Sequence, residues 1–227
     1  FFMAGFRHLI AGTILYVFAR RGEAAPNRKD WQAAIVIGGL LLFVGNGGVT
    51  WAEQHVPSGL AALIVASIPI WMVVMNWLFG DRIRPGRREI VSLILGFLGL
   101  IILVGPERII GSGKIDLSGL LVLILAAVAW SAGSLYARIH KLSTSQLLAT
   151  GMQSLGGGVL LVILGVLFGE SKQLNVDAIS LRSFLSLGYL TVFGSLIGFT
   201  SYVWLLKQVS PAKVSTYAYV NPVIAVL

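Results

Sequence analysis

HVPSGLAALIVASIPIW, residues 55–71, is an apolar run that starts and ends beside a proline, Pro57 and Pro69, and follows the acidic Glu53. From Val56 to Trp71 it contains no charged side chain. A helix on the surface of a soluble protein keeps a polar face, and this stretch has none to offer. The two prolines differ in meaning. Pro57 stands in a turn, at the start of a helix, where its missing N–H is not needed. Pro69 falls inside the apolar run, where proline frees a carbonyl and kinks the helix.

The whole chain follows the same pattern. Of its 227 residues, 56% are hydrophobic and 11% charged, against about 25% charged in soluble domains. Mean hydropathy is +0.87. A bilayer accepts that much apolar surface, and a spanning helix needs roughly 20 such residues. Eight runs qualify: 1–19, 33–54, 58–79, 88–105, 118–138, 144–168, 183–207 and 210–227. Their backbones must be helical, because lipid offers no partner to a free amide. The fold class is therefore an all-α membrane protein. The chain opens on Phe1 within one apolar run and stops within another, PVIAVL, so both ends are expected to continue.

The formal net charge is +8. In a soluble protein this would suggest nucleic acid, but no basic stripe with interleaved aromatics occurs, and nucleic acid is not an expected partner. The bases sit in short loops instead. The loops at 20–32, 80–88, 138–143 and 207–213 carry twelve Lys and Arg; those at 55–57, 106–117 and 169–182 carry four. The positive-inside rule puts the first set in the cytoplasm. Arg7 is the one base within a run.

A displacement of 153 positions lays Gly45 on Gly198, Trp51 on Trp204, Val56 on Val209 and Pro69 on Pro222. The runs 33–54 and 58–79 fall on 183–207 and 210–227. Fixed-period self-similarity of this kind marks internal repeats. The displacement crosses five runs, an odd number, so the copies face opposite ways across the membrane, an architecture found in secondary transporters. Residues 1–105 then form a first repeat lacking its first helix, 106–117 a linker, and 118–227 a second repeat lacking its last helix. Eight spans are visible of an expected ten, five in each half.

The segments FRHLIAGTILYVFAR, WAEQHVPSGLAALIVASIPIW, GDRIRPGRREIVSLILGFLGLIILVGPE and GLLVLILAAVAWSAGSLYARIH resemble consecutive parts of EamA-type transporters of the drug/metabolite transporter superfamily. The resemblance covers essentially the whole chain. It rests on Arg7 in the first run, Pro69 followed by the acidic–basic turn Asp81–Arg82, and the Gly-rich run after it. Glu is usual in that turn where this chain has Asp81. The resemblance implies ten helices, a central pathway and export of small metabolites or drug-like compounds, without fixing the substrate.

Candidate residues follow from depth and chemistry. Asn46, Asn76 and Asn221 are polar within apolar runs, and a buried amide needs partners. Asn46 and Asn221, with Trp71, Trp130, Tyr202, Tyr217 and Tyr219, are the expected cavity lining, since aromatic walls with a few polar tips suit amphipathic ligands. Walls are expected from runs 33–54, 58–79, 118–138, 183–207 and 210–227. Pro69 and Pro222 are candidate hinges. Glu53 and Arg7 are candidates for ion or proton coupling, with a rim carboxylate and a snorkelling cation as their plainer readings. His8 follows Arg7, and His55 is expected to be solvated in a turn. The many glycines, including GNGG at 45–48, GGG at 156–158 and GSLIG at 194–198, read as sites of close helix approach.

Several classes are excluded or disfavoured. No cysteine is present, and three scattered histidines form no metal cluster. No Walker A pattern occurs, so neither a cofactor nor ATP coupling is expected. GSG at 111–113 lies in a loop with no paired histidine. The expected function is alternating-access secondary transport across the cytoplasmic membrane. Expected partners are the lipid bilayer, a small-molecule substrate, and protons or a counter-ion. A non-transporting scaffold or receptor is the alternative, followed by an intramembrane enzyme, for which Arg7, His8 and Glu53 form no known constellation.

Overall fold

The computed structural model describes residues 1–82, 84–105, 116–140, 142–173 and 179–226, with the side chains at 173, 211, 212 and 222–226 excepted. Residues 106–115 of the linker expected at 106–117, and the GSG at 111–113, lie outside that set. Among the described residues the secondary structure is helical: α1 Phe2–Ala19, α2 Arg28–Ala52, α3 Ser58–Phe79, α4 Arg87–Val104, α5 Leu117–Ile139, α6 Gln146–Leu167, a short α7 Glu170–Gln173, α8 Leu181–Gln208, α9 Pro211–Ser215 and α10 Tyr217–Val226.

Six of these, α1, α2, α3, α5, α6 and α8, are long and apolar enough to cross a membrane. The two other expected runs take a different form. α4 spans 18 residues but begins with Arg87, Arg88 and Glu89 in its first turn. Run 210–227 divides at Thr216 into α9 and α10.

Local sequence sets the ends. Asn27 caps α2 through a reciprocal pair: its side chain accepts from the Asp30 amide (2.9 Å), and Asp30 accepts from the Asn27 amide (3.1 Å). Asp116 and Ser145 cap α5 and α6 in the same manner. Such caps satisfy amides that a helix start leaves unpaired.

α3 breaks at Ala66–Ser67, and Pro69 sits in the first turn of its second half, Ile68–Phe79. Proline cannot supply the N–H that would carry a helix through this point. Ser67 Oγ instead donates to the Ile64 carbonyl at 2.6 Å. Ser131 of α5, fully buried, donates to the Ile68 carbonyl at 3.3 Å beside the break. Pro222 stands differently, inside the helical backbone of α10 and six positions after the break at Thr216.

α2 and α8 share a second irregularity. The turns at Gly39–Asn46 and Leu190–Phe199 are π-helical. Displaced by 153 positions, Arg28 falls on Leu181 and Ser58 on Pro211, each the first residue of a helix. The π turns overlap under the same displacement. Glycine permits them both. A Cβ on Gly45 would meet the Leu40 carbonyl at 3.1 Å, and one on Gly198 the Phe193 carbonyl at 3.0 Å. In each case the wide turn has brought the carbonyl five positions back against the glycine. π turns of this kind occur often at functional sites.

α1 and α2 pack along α6, and α5 packs against α2 and α3. The central core joins Ile37, Leu41, Ile68, Met72, Val203 and Leu206. Large apolar side chains on α4, among them Leu95 and Ile102, remain exposed, as lipid-facing surface requires.

The base-rich loops meet at one end. Ser143 donates its amide to Asp30 (2.9 Å), Ser145 donates to Glu23 (2.9 Å), and Arg138 pairs with Asp81 (3.4 Å). The opposite end gathers Trp51, Phe1 and Phe168 about one apolar hollow, with Gly119 against Val56 and His55.

Candidate functional site

A cavity of about 350 Å³ lies where the two π turns face α1. Arg7 and His8 come from α1, Leu42 and Asn46 from the first π turn, and Trp130 from α5. Gly194, Gly198, Phe199, Ser201, Tyr202 and Leu205 come from α8, Val214 from α9, and Tyr217 and Asn221 from α10. Asn46 and Phe199 occupy equivalent positions under the 153-residue displacement.

Its polar corner is built on Arg7. Arg7 Nη2 donates to Asn46 Oδ1 (3.3 Å) and to His8 Nε2 (3.2 Å). Arg7 Nη1 would lie 3.8 Å from a Cβ on Gly194, so the guanidinium bridges the two π turns. His8 is 2% exposed, and its ring stands edge-on to Phe199 at 6.1 Å. Arginine only donates, so His8 Nε2 accepts and the proton sits on Nδ1. Nδ1 of His8 and Nε of Arg7 are both buried without a partner. Among the described residues, no carboxylate pairs with Arg7.

The opposite wall is aromatic and already satisfied. Tyr202 OH accepts from Trp130 Nε1 (2.9 Å) and bonds Ser134 Oγ (2.6 Å). Ser134 in turn donates to the Trp130 carbonyl (2.6 Å). The Tyr202 and Tyr217 rings meet edge to face at 5.2 Å. These bonds fix ring orientation, a common role of a buried polar network.

The structure thus brings together Arg7, Asn46, Trp130, Tyr202, Tyr217 and Asn221 from the residues expected at a site. Three others stand apart. The Trp71 indole donates to Ser67 Oγ (3.1 Å) at the break of α3. Tyr219 lies over Gly96 and donates to the Leu93 carbonyl (3.3 Å) of α4. Glu53 is an exposed residue just past α2, outside the cavity lining. Pro69 is buried at the start of its half-helix, also off the lining. Asn76, read as polar at depth, donates to Asp81 (3.4 Å) in the turn after α3.

α1 was not among the expected walls, although it carries the polar corner. Gly194 and Gly198 were read as packing glycines, yet they open the wall. The signal available was that Gly198 repeats Gly45.

A bundle of long apolar helices around an aromatic cavity with a buried cation is the form of a multi-pass membrane transporter. The EamA-like transporter family profile matches residues 1–105 and 117–227, and the chain belongs to this family. It is 39% identical to a protein of Escherichia coli (strain K12) named "Uncharacterized inner membrane transporter YedA", over 99% of this chain and 71% of that one. It is 26% identical to the "Uncharacterized transporter YvbV" of Bacillus subtilis (strain 168), over 99% of this chain and 72% of the other. A "WAT1-related protein" described as chloroplastic, from Arabidopsis thaliana, is 27% identical over 99% of this chain and 55% of its own length. A solved crystal structure shares the fold with a TM-score of 0.78 at 20% identity, covering 98% of this chain and 75% of that chain.

Proposed function

We propose that this chain is a secondary transporter that carries small organic solutes out of the cell by alternating access. The carrying observation is the pair of π turns, matched under one displacement, that face each other across the cavity. In this reading residues 1–105 and 118–227 are inverted halves, two sets of five spans in the complete arrangement, eight of which are represented here. The separate family matches on either side of the linker support the division. The ends support the inversion: α2 runs from the base-rich end to the other, and α8 runs back. The base-rich end is cytoplasmic by the positive-inside rule. The membrane is the bacterial cytoplasmic one, as the name of the Escherichia coli relative suggests.

The breaks of α3 and α9–α10 supply hinges beside the cavity, with Pro69 and Pro222 as the residues that absorb the change. Protons or a counter-ion supply the coupling. Alternating access then exposes Arg7 and the aromatic wall to each side in turn.

Flux from proteoliposomes holding the protein, screened over a panel of small metabolites, tests the proposal. Gly194→Phe is the matched control. A Cβ fits at Gly194, so the added ring fills the cavity without clashing at its root. Flux is expected from the wild type and not from the folded Gly194→Phe protein. Equal flux from both would overturn the cavity as the route, and no flux of any solute from folded wild type would overturn transport.

A further inference from the structure

Resting on the reading of the cavity as the substrate route, we propose that it selects small organic monoanions: a carboxylate head on an apolar body, with no ammonium group. The head docks on Arg7 and His8, and the body lies against Trp130, Phe199 and Tyr217.

The charge argument comes first. A cation within a membrane span is expensive and is held by a partner when its role is structural. Arg7 meets two neutral acceptors, both through Nη2. Its Nε is buried and unpaired, and the adjoining His8 presents a buried, unpaired Nδ1–H. Each such donor costs the free energy of a lost hydrogen bond until an acceptor arrives. Two donors on neighbouring residues of one cavity wall match the two oxygens of a carboxylate. Gly194 keeps the approach to the guanidinium open, since a side chain there would begin 3.8 Å from Nη1.

The count of charges narrows the class. Arg7 is the single fixed cation in the lining, and no carboxylate lines the cavity among the described residues. A dianion would bury one charge unpaired. An amino acid would bring an ammonium with no anion to receive it. The rest of the lining is aromatic or aliphatic apart from Asn46, Ser201 and Asn221, and the Tyr202 hydroxyl is already engaged by Trp130 and Ser134. An apolar body therefore suits the remaining space.

Four probes of one skeleton test this on the full chain in detergent or nanodiscs: phenylacetate, phenylacetamide, phenylalanine and phenethylamine. Binding is read by calorimetry and by thermal shift. Phenylacetate is expected to bind about tenfold or more tighter than the other three, the scale of a charge-assisted bond. In Arg7→Gln the preference over the amide disappears; in Arg7→Lys part of it remains, because lysine keeps the charge and loses the fork. Gly194→Phe weakens every probe that enters the cavity. Equal binding of phenylacetate and phenylacetamide to the wild type, tighter phenylalanine, or no phenylacetate binding overturns the proposal, even if Arg7→Gln fails to fold. The cavity reading survives the first two results provided Gly194→Phe still blocks binding. Probes that bind Gly194→Phe unchanged would instead overturn the cavity as the route.

Discussion

Adding one methyl group at Gly38 should destabilise this protein, whereas adding one at Gly188 should not. Gly38 is buried in α2 at its crossing with α6. A Cβ there would lie 2.2 Å from the Gln153 carbonyl oxygen and 2.9 Å from the Gly157 amide nitrogen. Both atoms are backbone, so no rotamer change relieves the clash. α2 and α6 must part by about 1 Å, and a gap of that size forfeits a quarter to a half of each contact along the seam. Overpacking costs about 1–3 kcal/mol, and a backbone clash belongs at the upper end. Alanine is the better helix former by about 0.5–1 kcal/mol, which offsets part of this. The net expectation for Gly38→Ala is a loss of about 2 kcal/mol. Gly188 in α8 has nothing within 4 Å of its Cβ position, so Gly188→Ala should keep the propensity gain of about 0.5–1 kcal/mol. On the scale of chains this size, the first lowers Tm by about 4–8 °C and the second raises it by about 1–4 °C. Thermal unfolding of the purified protein, followed by gel filtration or tryptophan fluorescence, separates these. A Gly38→Ala protein as stable as wild type would refute the argument that the α2–α6 seam is set by backbone contact.

Tyr202→Phe removes the hydroxyl shared by Trp130 and Ser134 and should cost about 1–2 kcal/mol, read as a lowered Tm. Glu23 accepts from Ser145, and that bond holds its carboxyl below the ordinary range. Its contribution is therefore full above the unfolded-state pKa, about 4.3, and lost as pH falls through the folded value. Tm should drop through the acid range, and Glu23→Gln should flatten that limb; a wild-type Tm that stays level there would refute it. Glu53→Gln should leave the pH dependence of flux unchanged, because Glu53 lies outside the cavity lining; a shifted profile would restore it as a coupling group.

Hydropathy and loop charge made the spans and the two ends legible, because lipid imposes length and apolarity on every crossing. The cavity was legible in part. Tyr217 and Asn221 are four residues apart on α10 and share a face, and both line it. Tyr219 is two residues from Tyr217, so it projects the other way, onto Leu93 and Gly96. Grouping aromatics by depth alone ignored that rotation. Trp71 was misplaced for a similar reason: depth placed it among the walls, while the break at Ser67 claimed its indole. The π turns left little trace in composition, since GLLLFVGN reads as ordinary apolar helix. Gly45 and Gly198 were the trace, and close packing explained them too easily.

The π turns also bear on how this chain tolerates change. A turn closed over five residues holds one more residue than the α-helix needs, and one residue is about 100° of helix rotation. Deleting a single residue between Gly39 and Phe43 would let α2 relax into regular helix at no expense in apolarity. Everything beyond would then swing by about 100°, carrying Asn46 away from Arg7. The chain stores a phase slip in each half, and hydropathy is blind to phase.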